Sequence, residues 1–128
     1  MKLDTHIFIP VSLGELVDKI TILEIKSKKI NERISLSNVQ KELSLLNGVL
    51  SKLDLALDQY ILVELREVNE KLWDIEDTIR DYEKKQLFNS KFIDLARSIY
   101  ELNDRRSLLK RKLNTAFGSQ LIEEKSYQ

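Results

Sequence analysis

The stretch ILVELREVNEKLWDIEDTIRDY, residues 61–82, decides the fold of this chain. Its apolar side chains recur at steps of four and three residues, which is the spacing of one face of an α-helix. These positions are Ile61, Leu65, Val68, Leu72, Ile75, Ile79 and Tyr82. Such a helix gains most of its stability by packing its apolar face against other elements. The rest of the chain is therefore expected to supply matching helices.

Three further segments carry similar apolar rows. The first follows a capping box of Ser12 and Glu15, and the last follows the capping residue Asn89 and ends before Gly118. The second has leucines at heptad spacing, which is typical of a coiled coil. The predicted helices span residues 12–34, 38–56, 60–88 and 90–117. The sequence therefore predicts an all-α fold, a four-helix antiparallel bundle-like domain over residues 1–128.

The ends of the chain and one junction have a different character. Residues 1–11 are expected to form a short extended arm, since Pro10 biases the residue before it away from helix. Residues 119–128 are predicted to be a polar tail. Between the second and third helices the apolar row shifts register, which either a break near residues 54–59 or a stutter in one long helix would explain. We favour the break.

Composition excludes several functional classes. Lys plus Arg number 21 and Asp plus Glu number 21, so the formal net charge is zero and a nucleic-acid partner is not expected. The chain has no cysteine, which excludes disulfides and thiol chemistry. The chain shows neither a signal peptide nor an apolar run long enough for a membrane span, so we expect a cytoplasmic protein with no membrane partner.

Some apolar residues lie outside the helical rows. On the first helix, Ile22 and Ile25 form a second apolar flank, and Tyr60 and Leu62 are left over in the same way. Spare apolar surface on a small bundle favours a partner, most commonly a second copy of the chain. Self-association through the flank of the first helix is therefore predicted.

Polar residues at positions where the core is expected indicate a candidate site. Glu24 and Arg106 occupy apolar rows, and two neighbouring stripes add amides, a tryptophan and further charges. The candidate ligand-binding residues are Glu24, Asn69, Trp73, Glu76, Arg80, Asn103 and Arg106. Of these, Glu24, Glu76, Arg80, Asn103 and Arg106 are predicted to converge in the interior. Two interpretations stay open: a buried ion-pair network that fixes helix register, and a pocket in which arginine binds an anionic small molecule.

Catalytic and metal-binding patterns are weaker. His6 is the only histidine, so a histidine-based metal site or catalytic triad is improbable, and no cofactor is expected. Carboxylates on the third and fourth helices could hold Mg²⁺ only under an alternative interpretation. They are Asp74, Asp77, Asp81, Glu101 and Asp104. That alternative is an enzyme acting on a nucleotide or sugar nucleotide, and whether the chain is an enzyme stays undecided.

Several segments resemble an uncharacterised family of small bacterial and phage proteins. They are IPVSLGELVDKITILEIK (residues 9–26), VNEKLWDIED (68–77), the stretch from Leu95 to Arg106, and EEKSY (123–127). The resemblance implies a family member of unknown function. It also implies that the polar residues of the candidate site, apart from Trp73, are ones that recur in the family.

Two other resemblances are at the level of fold. Glu101-x-x-Asp104 is similar to one motif of the all-α nucleotide pyrophosphatases, which would imply Mg²⁺-dependent hydrolysis, but their Glu-Glu-x-x-Glu element is missing. Helical chorismate mutases bind a dianion between helices, but their opening arginine pattern is not found here.

Overall fold

The structure, a computed structural model, describes residues 6–118. Helices make up 80% of it, and the described residues form no strand. The helices are α1 (Leu13–Lys29), α2 (Arg33–Lys52), α3 (Gln59–Lys84) and α4 (Ser90–Ala116). The prediction of an all-α, four-helix bundle-like fold is confirmed.

The helix ends follow the capping chemistry of the sequence. Ser12 Oγ accepts a hydrogen bond from the Glu15 N–H at 3.1 Å, and Asn89 Oδ1 accepts one from Phe92 at 3.0 Å. Gly118 has a φ of +62°, the left-handed conformation that glycine adopts just after a helix. The tail expected over residues 119–128 lies outside the described residues, as do residues 1–5 of the arm.

The boundary between the first two helices differs from the prediction. A continuous helix to residue 34 was expected, but α1 ends at Lys29 and Ile30 is extended, with φ −84° and ψ 127°. The carboxylate of Glu32 caps α2 by accepting hydrogen bonds from the N–H groups of Ile34 and Ser35. Residue 38, the predicted start of the second helix, therefore lies inside α2.

The other predicted ends shift by a few residues. The second and third helices stop at Lys52 and Lys84, not at 56 and 88. Asp54 and Gln86, just beyond these helices, take positive φ values of 49° and 55°, which no helix can continue. The chain is therefore non-helical from Leu53 to Asp58, where the apolar row shifts register.

Helix α1 is the centre of the bundle. It contacts each of the other three helices, α3 packs along α4, and α2 packs on α1 alone. The buried core forms between α1, α3 and α4, and it comprises Leu13, Val17, Leu65, Val68, Leu72, Leu109 and Leu113. No residue of α2 is buried. The molecule is therefore a three-helix core with a fourth helix attached to one side.

The start of α1 makes an unusually close contact with α4. A Cβ atom on Gly14 would lie 2.5 Å from the carbonyl oxygen of Lys110, a distance at which the two atoms would clash. The Gly14 N–H donates to Asn114 Oδ1 at 2.7 Å, so the amide of α4 also helps to cap α1. Glycine at this position lets the two backbones approach and sets the polar residues of both helices opposite one another.

The arm and the end of α2 lie at the same end of the molecule. The three-residue connection Ile30–Glu32 makes α1 and α2 antiparallel neighbours, and Lys19 lies 3.8 Å from Glu42 across that pair. The last turns of α2 are therefore level with the start of α1, from which the arm emerges. Among the described residues, no helix is long and apolar enough to cross a membrane.

Candidate functional site

The centre of the polar cluster is a carboxylate that the sequence analysis did not select. Asp18 on α1 is 1% exposed. Arg106 on α4 binds it with both sides of its fork, since Nε lies 2.8 Å from Oδ1 and Nη2 lies 2.5 Å from Oδ2. Bidentate pairs of this kind are among the stronger charge-assisted hydrogen bonds in proteins. The negative charge that faces Arg106 is thus supplied by the protein itself.

Amides and a hydroxyl complete the surroundings of this ion pair. Asn69 on α3 donates through Nδ2 to Asp18 Oδ1 at 3.1 Å and to Thr21 Oγ1 at 2.8 Å. Arg106 Nη1 donates to Asn103 Oδ1 at 3.4 Å, a long and weak contact. We call these five residues the Asp18 network. It joins α1, α3 and α4, so it determines how the three core helices sit relative to one another.

A second polar contact lies one turn further along the same interface. Lys110, with a side chain only 7% exposed, donates to Glu15 Oε2 at 2.8 Å. Asn114 is 1% exposed, and its Nδ2 has no hydrogen-bond partner among the described residues. The Nε atom of Arg66 on α3 is also buried without a hydrogen-bond partner among the described residues. The Nη2 atom of the same side chain lies 3.2 Å from Glu24 Oε2. The α1–α4 contact is thus rich in charge and amide groups.

A shallow depression adjoins the Asp18 network. Its volume is about 190 Å³, and its lining is mostly apolar. The lining residues are Ile22, Ile25, Lys26, Asn69, Leu72, Trp73, Glu76 and Arg106. Ile25, Asn69 and Leu72 are buried, Trp73 and Lys26 are half-buried, and Glu76 is exposed. The depression therefore combines an apolar floor with one cation and one carboxylate at its rim and the paired Arg106 at one side.

The seven predicted site residues lie in three different places in the structure. Asn69, Asn103 and Arg106 belong to the Asp18 network, and Trp73 and Glu76 reach the depression. The other two lie elsewhere, because Glu24 pairs with Arg66 and Arg80 is exposed. Whether any of them binds a ligand stays a prediction.

The predicted single interior cluster is wrong for Glu24, Glu76 and Arg80. Glu24 has a side chain 31% exposed at the edge of the α1–α3 contact, and Glu76 and Arg80 are exposed. The last residue of α1, Lys29, lies 3.5 Å from Asp74, so Arg80 is on turns of α3 that run beyond the end of α1 and is exposed. Glu76 lies at the rim of the depression.

Asp18 and Thr21 were not predicted to belong to the site. The missed signal is a second stripe on α1, in which Gly14, Asp18, Thr21 and Ile25 recur at steps of four, three and four. All four are buried. A helix that packs against three others is buried on more than one side, so a single apolar row underestimates its core face.

The spare flank of α1 is also corrected. Ile25 is 2% exposed and Ile22 is half-buried, because α3 and α4 cover this side of α1. The flank is thus largely used within the molecule and leaves little surface for self-association. Uncovered apolar side chains lie on the arm and on α2, and others lie on α3, on α4 and in the connections between helices.

Metal chemistry finds no support in the described range. Residues 6–118 contain no group of three or more His, Cys, Asp or Glu side chains placed to hold a metal ion. The carboxylates of Glu101 and Asp104 are exposed on α4, as are those of Asp74, Asp77 and Asp81 on α3.

Comparison with known proteins places the chain in a family but assigns no activity. No curated protein and no solved structure matches it. The model of one family matches residues 7–128, which is nearly the whole chain and includes residues 7–11 of the arm. The chain therefore belongs to the Family of unknown function (DUF6165).

Proposed function

We propose that this protein is a helical binding and assembly module that associates with a second copy of itself. The observation that carries the proposal is the state of α2. This helix packs on α1 alone and buries no residue. Leu45 and Val49 on this helix and its C-cap residue Leu53 are 55%, 45% and 48% exposed, and they form a stripe at steps of four residues. We call these three residues the α2 stripe.

An open apolar stripe on a small bundle favours association. Fully burying an aliphatic side chain stabilises by about 1.5–3 kcal/mol, so covering three half-exposed side chains contributes about 2–4 kcal/mol per copy. A two-fold dimer uses the same surface twice. The total of about 4–8 kcal/mol is comparable with the entropy cost of binding, so the α2 stripe alone supports weak association, and a further apolar contact would strengthen it.

The polar cluster supports a structural role better than an anion pocket. Asp18 already occupies the side of the Arg106 fork that a ligand carboxylate or phosphate would take. The depression, at about 190 Å³, is below the roughly 300–1,000 Å³ of typical ligand sites. A nucleotide or sugar nucleotide would extend far outside it, which counts against the enzyme alternative.

Substitutions on α2 test the proposal. Leu45→Glu places a charge on the α2 stripe, whereas Ser44→Glu places the same charge on an exposed neighbouring position. Light scattering over a concentration series should show a dimer for the wild type and for Ser44→Glu, and a monomer for Leu45→Glu. Both variants should keep the helical circular-dichroism spectrum. A Leu45→Glu protein with unchanged mass would show that α2 is not the associating surface.

A second candidate function is binding of a small anion in the depression. It is favoured by Lys26, which lines the depression together with Arg106 and Trp73. Trp73 is the only tryptophan, so its fluorescence reports on this site alone. Titration with phosphate, citrate and UDP-glucose should then change the emission of the wild type and not of Lys26→Met. A fluorescence spectrum that changes with none of these ligands would remove this candidate.

A cytoplasmic location of the protein stays a prediction.

A further inference from the structure

The arm is the most exposed apolar segment among the described residues. Ile7, Ile9 and Val11 are 82%, 69% and 44% exposed, and Phe8 is 95% exposed. The arm forms neither helix nor paired strand, and it joins α1 through Ser12, whose φ of −71° and ψ of 159° are extended. A contiguous apolar segment that is exposed to this extent typically marks a surface that contacts another molecule.

The spacing of the arm matches that of the α2 stripe. In the extended arm that the sequence predicts, alternate side chains lie on one face, about 6.6 Å apart, which puts Ile7, Ile9 and Val11 on a common face. On a helix, residues four apart are separated by about 6 Å along the axis, which is the spacing within the α2 stripe. Three apolar side chains of the arm can therefore contact three of the stripe in one register.

We propose that the arm of one copy packs on the α2 stripe of a second copy, and that the exchange is reciprocal. This rests on the proposed self-association and names its contact. In the structure of the single chain both surfaces are uncovered, although they lie at the same end of the molecule. A two-fold arrangement brings each arm to the other copy's stripe and covers both.

The buried area supports a second copy as the occupant of the α2 stripe. Two arms on two stripes bury on the order of 1,000 Å² in total, which is near the lower limit for a specific interface. The match of the family begins at residue 7, so Ile7, Ile9 and Val11 belong to the family's domain. The contact uses apolar side chains of both surfaces, so association should not weaken at high salt.

Cross-linking tests the contact. The chain has no cysteine, so Ile9→Cys with Val49→Cys introduces the only two thiols, at the middle of the arm face and of the α2 stripe. A short bis-maleimide reagent should link them between copies and give a covalent dimer on a denaturing gel. The matched control, Phe8→Cys with Val49→Cys, puts the arm thiol on the opposite face and should yield several-fold less dimer. A product linked only within one chain would overturn the exchange, as would equal yields from both pairs.

Mixing variants separates this inference from the proposed function. Ile9→Asp has a defective arm and an intact stripe, and Val49→Asp has the reverse. Each should be monomeric by light scattering, whereas an equimolar mixture should regain part of the dimer, because one arm–stripe contact of the two is restored. A wild type that stays monomeric contradicts both proposals. A wild-type dimer that Leu45→Glu dissociates and Ile9→Asp does not contradicts the arm exchange alone.

Discussion

Arg106→Met is the perturbation that best distinguishes a structural network from a ligand pocket. Methionine keeps most of the length of the side chain and removes its charge and its hydrogen bonds. Asp18 would then remain 1% exposed, with its only cationic contact in the described structure lost and Asn69 as its remaining hydrogen-bond donor. A carboxylate left unpaired in the interior is strongly destabilising.

The expected magnitude follows from the burial of the pair. Breaking a buried ion pair by removing one partner costs about 3–5 kcal/mol. The Arg106 side chain is 28% exposed, so water can partly solvate the site and the lower end of that range is expected. If the free energy of unfolding falls by about 1.5 kcal/mol per molar urea, the urea concentration at the unfolding midpoint should fall by about 2 M.

The neighbouring arginine supplies a matched control. Arg105 pairs with Glu64, but both side chains are about two-fifths exposed, at 41% and 39%. Exposed ion pairs contribute at most about 1 kcal/mol, so Arg105→Met should shift the midpoint by less than about 0.7 M. Urea unfolding of both variants is measured at a low protein concentration, at which self-association does not contribute to the stability.

The double variant Asp18→Asn with Arg106→Met measures the coupling between the two groups. If the pair is a structural unit, the second change should recover much of the stability lost in Arg106→Met, since no buried charge remains. An Arg106→Met protein as stable as the wild type, or more stable, would refute the structural interpretation. It would mean that the arginine is held for a ligand at the expense of stability.

Three further predictions concern the helices. Gly14→Ala should destabilise by about 1–3 kcal/mol or more in urea unfolding, because the new Cβ would meet the Lys110 carbonyl oxygen at 2.5 Å, whereas Gly48→Ala, with nothing within 4 Å, should stabilise by about 0.5–1 kcal/mol. Hydrogen bonds from the Ser35 side chain and backbone lower the pKa of Glu32 below its ordinary value of 4.5. The ionised Glu32 cap should therefore stabilise α2 above pH 4.5, and this stabilisation should be lost as the pH falls through the lowered pKa. Comparing the thermal midpoints of the wild type and Glu32→Gln should show a difference at pH 7 that vanishes at pH 2. Far-ultraviolet circular dichroism should show at least about 70% helix, and a spectrum dominated by strand would contradict the fold.

The fold could be predicted because its helices repeat their apolar residues at helical spacing. Ser12, Asn89 and Gly118 mark helix ends through local hydrogen bonding and backbone conformation, which the sequence displays directly. The break after Lys29 was missed because its cap is a glutamate. Glu32 reaches the N–H groups of the first turn with a longer side chain than the usual capping residues.

The site was harder to predict because it depends on which faces of α1 are covered. Arg106 was expected to lie in the interior with Glu24, but its side chain is 28% exposed and its partner is Asp18. Positions 18 and 24 are six residues apart, so they point to clearly different directions around the helix, about 120° from one another. Only the packing of α3 and α4 decides which of the two becomes buried, and no apolar row in the sequence records that choice.

The mass of the wild-type protein as a function of concentration tests the proposed assembly most directly. Sedimentation equilibrium from about 5 μM to several hundred micromolar, a range suited to a small interface, should show the average mass rising from that of the 15.0 kDa chain toward twice that value. Because the proposed contact is apolar, the rise should persist or sharpen in 1 M salt. A mass of one chain at every concentration, in both low and high salt, would contradict the account.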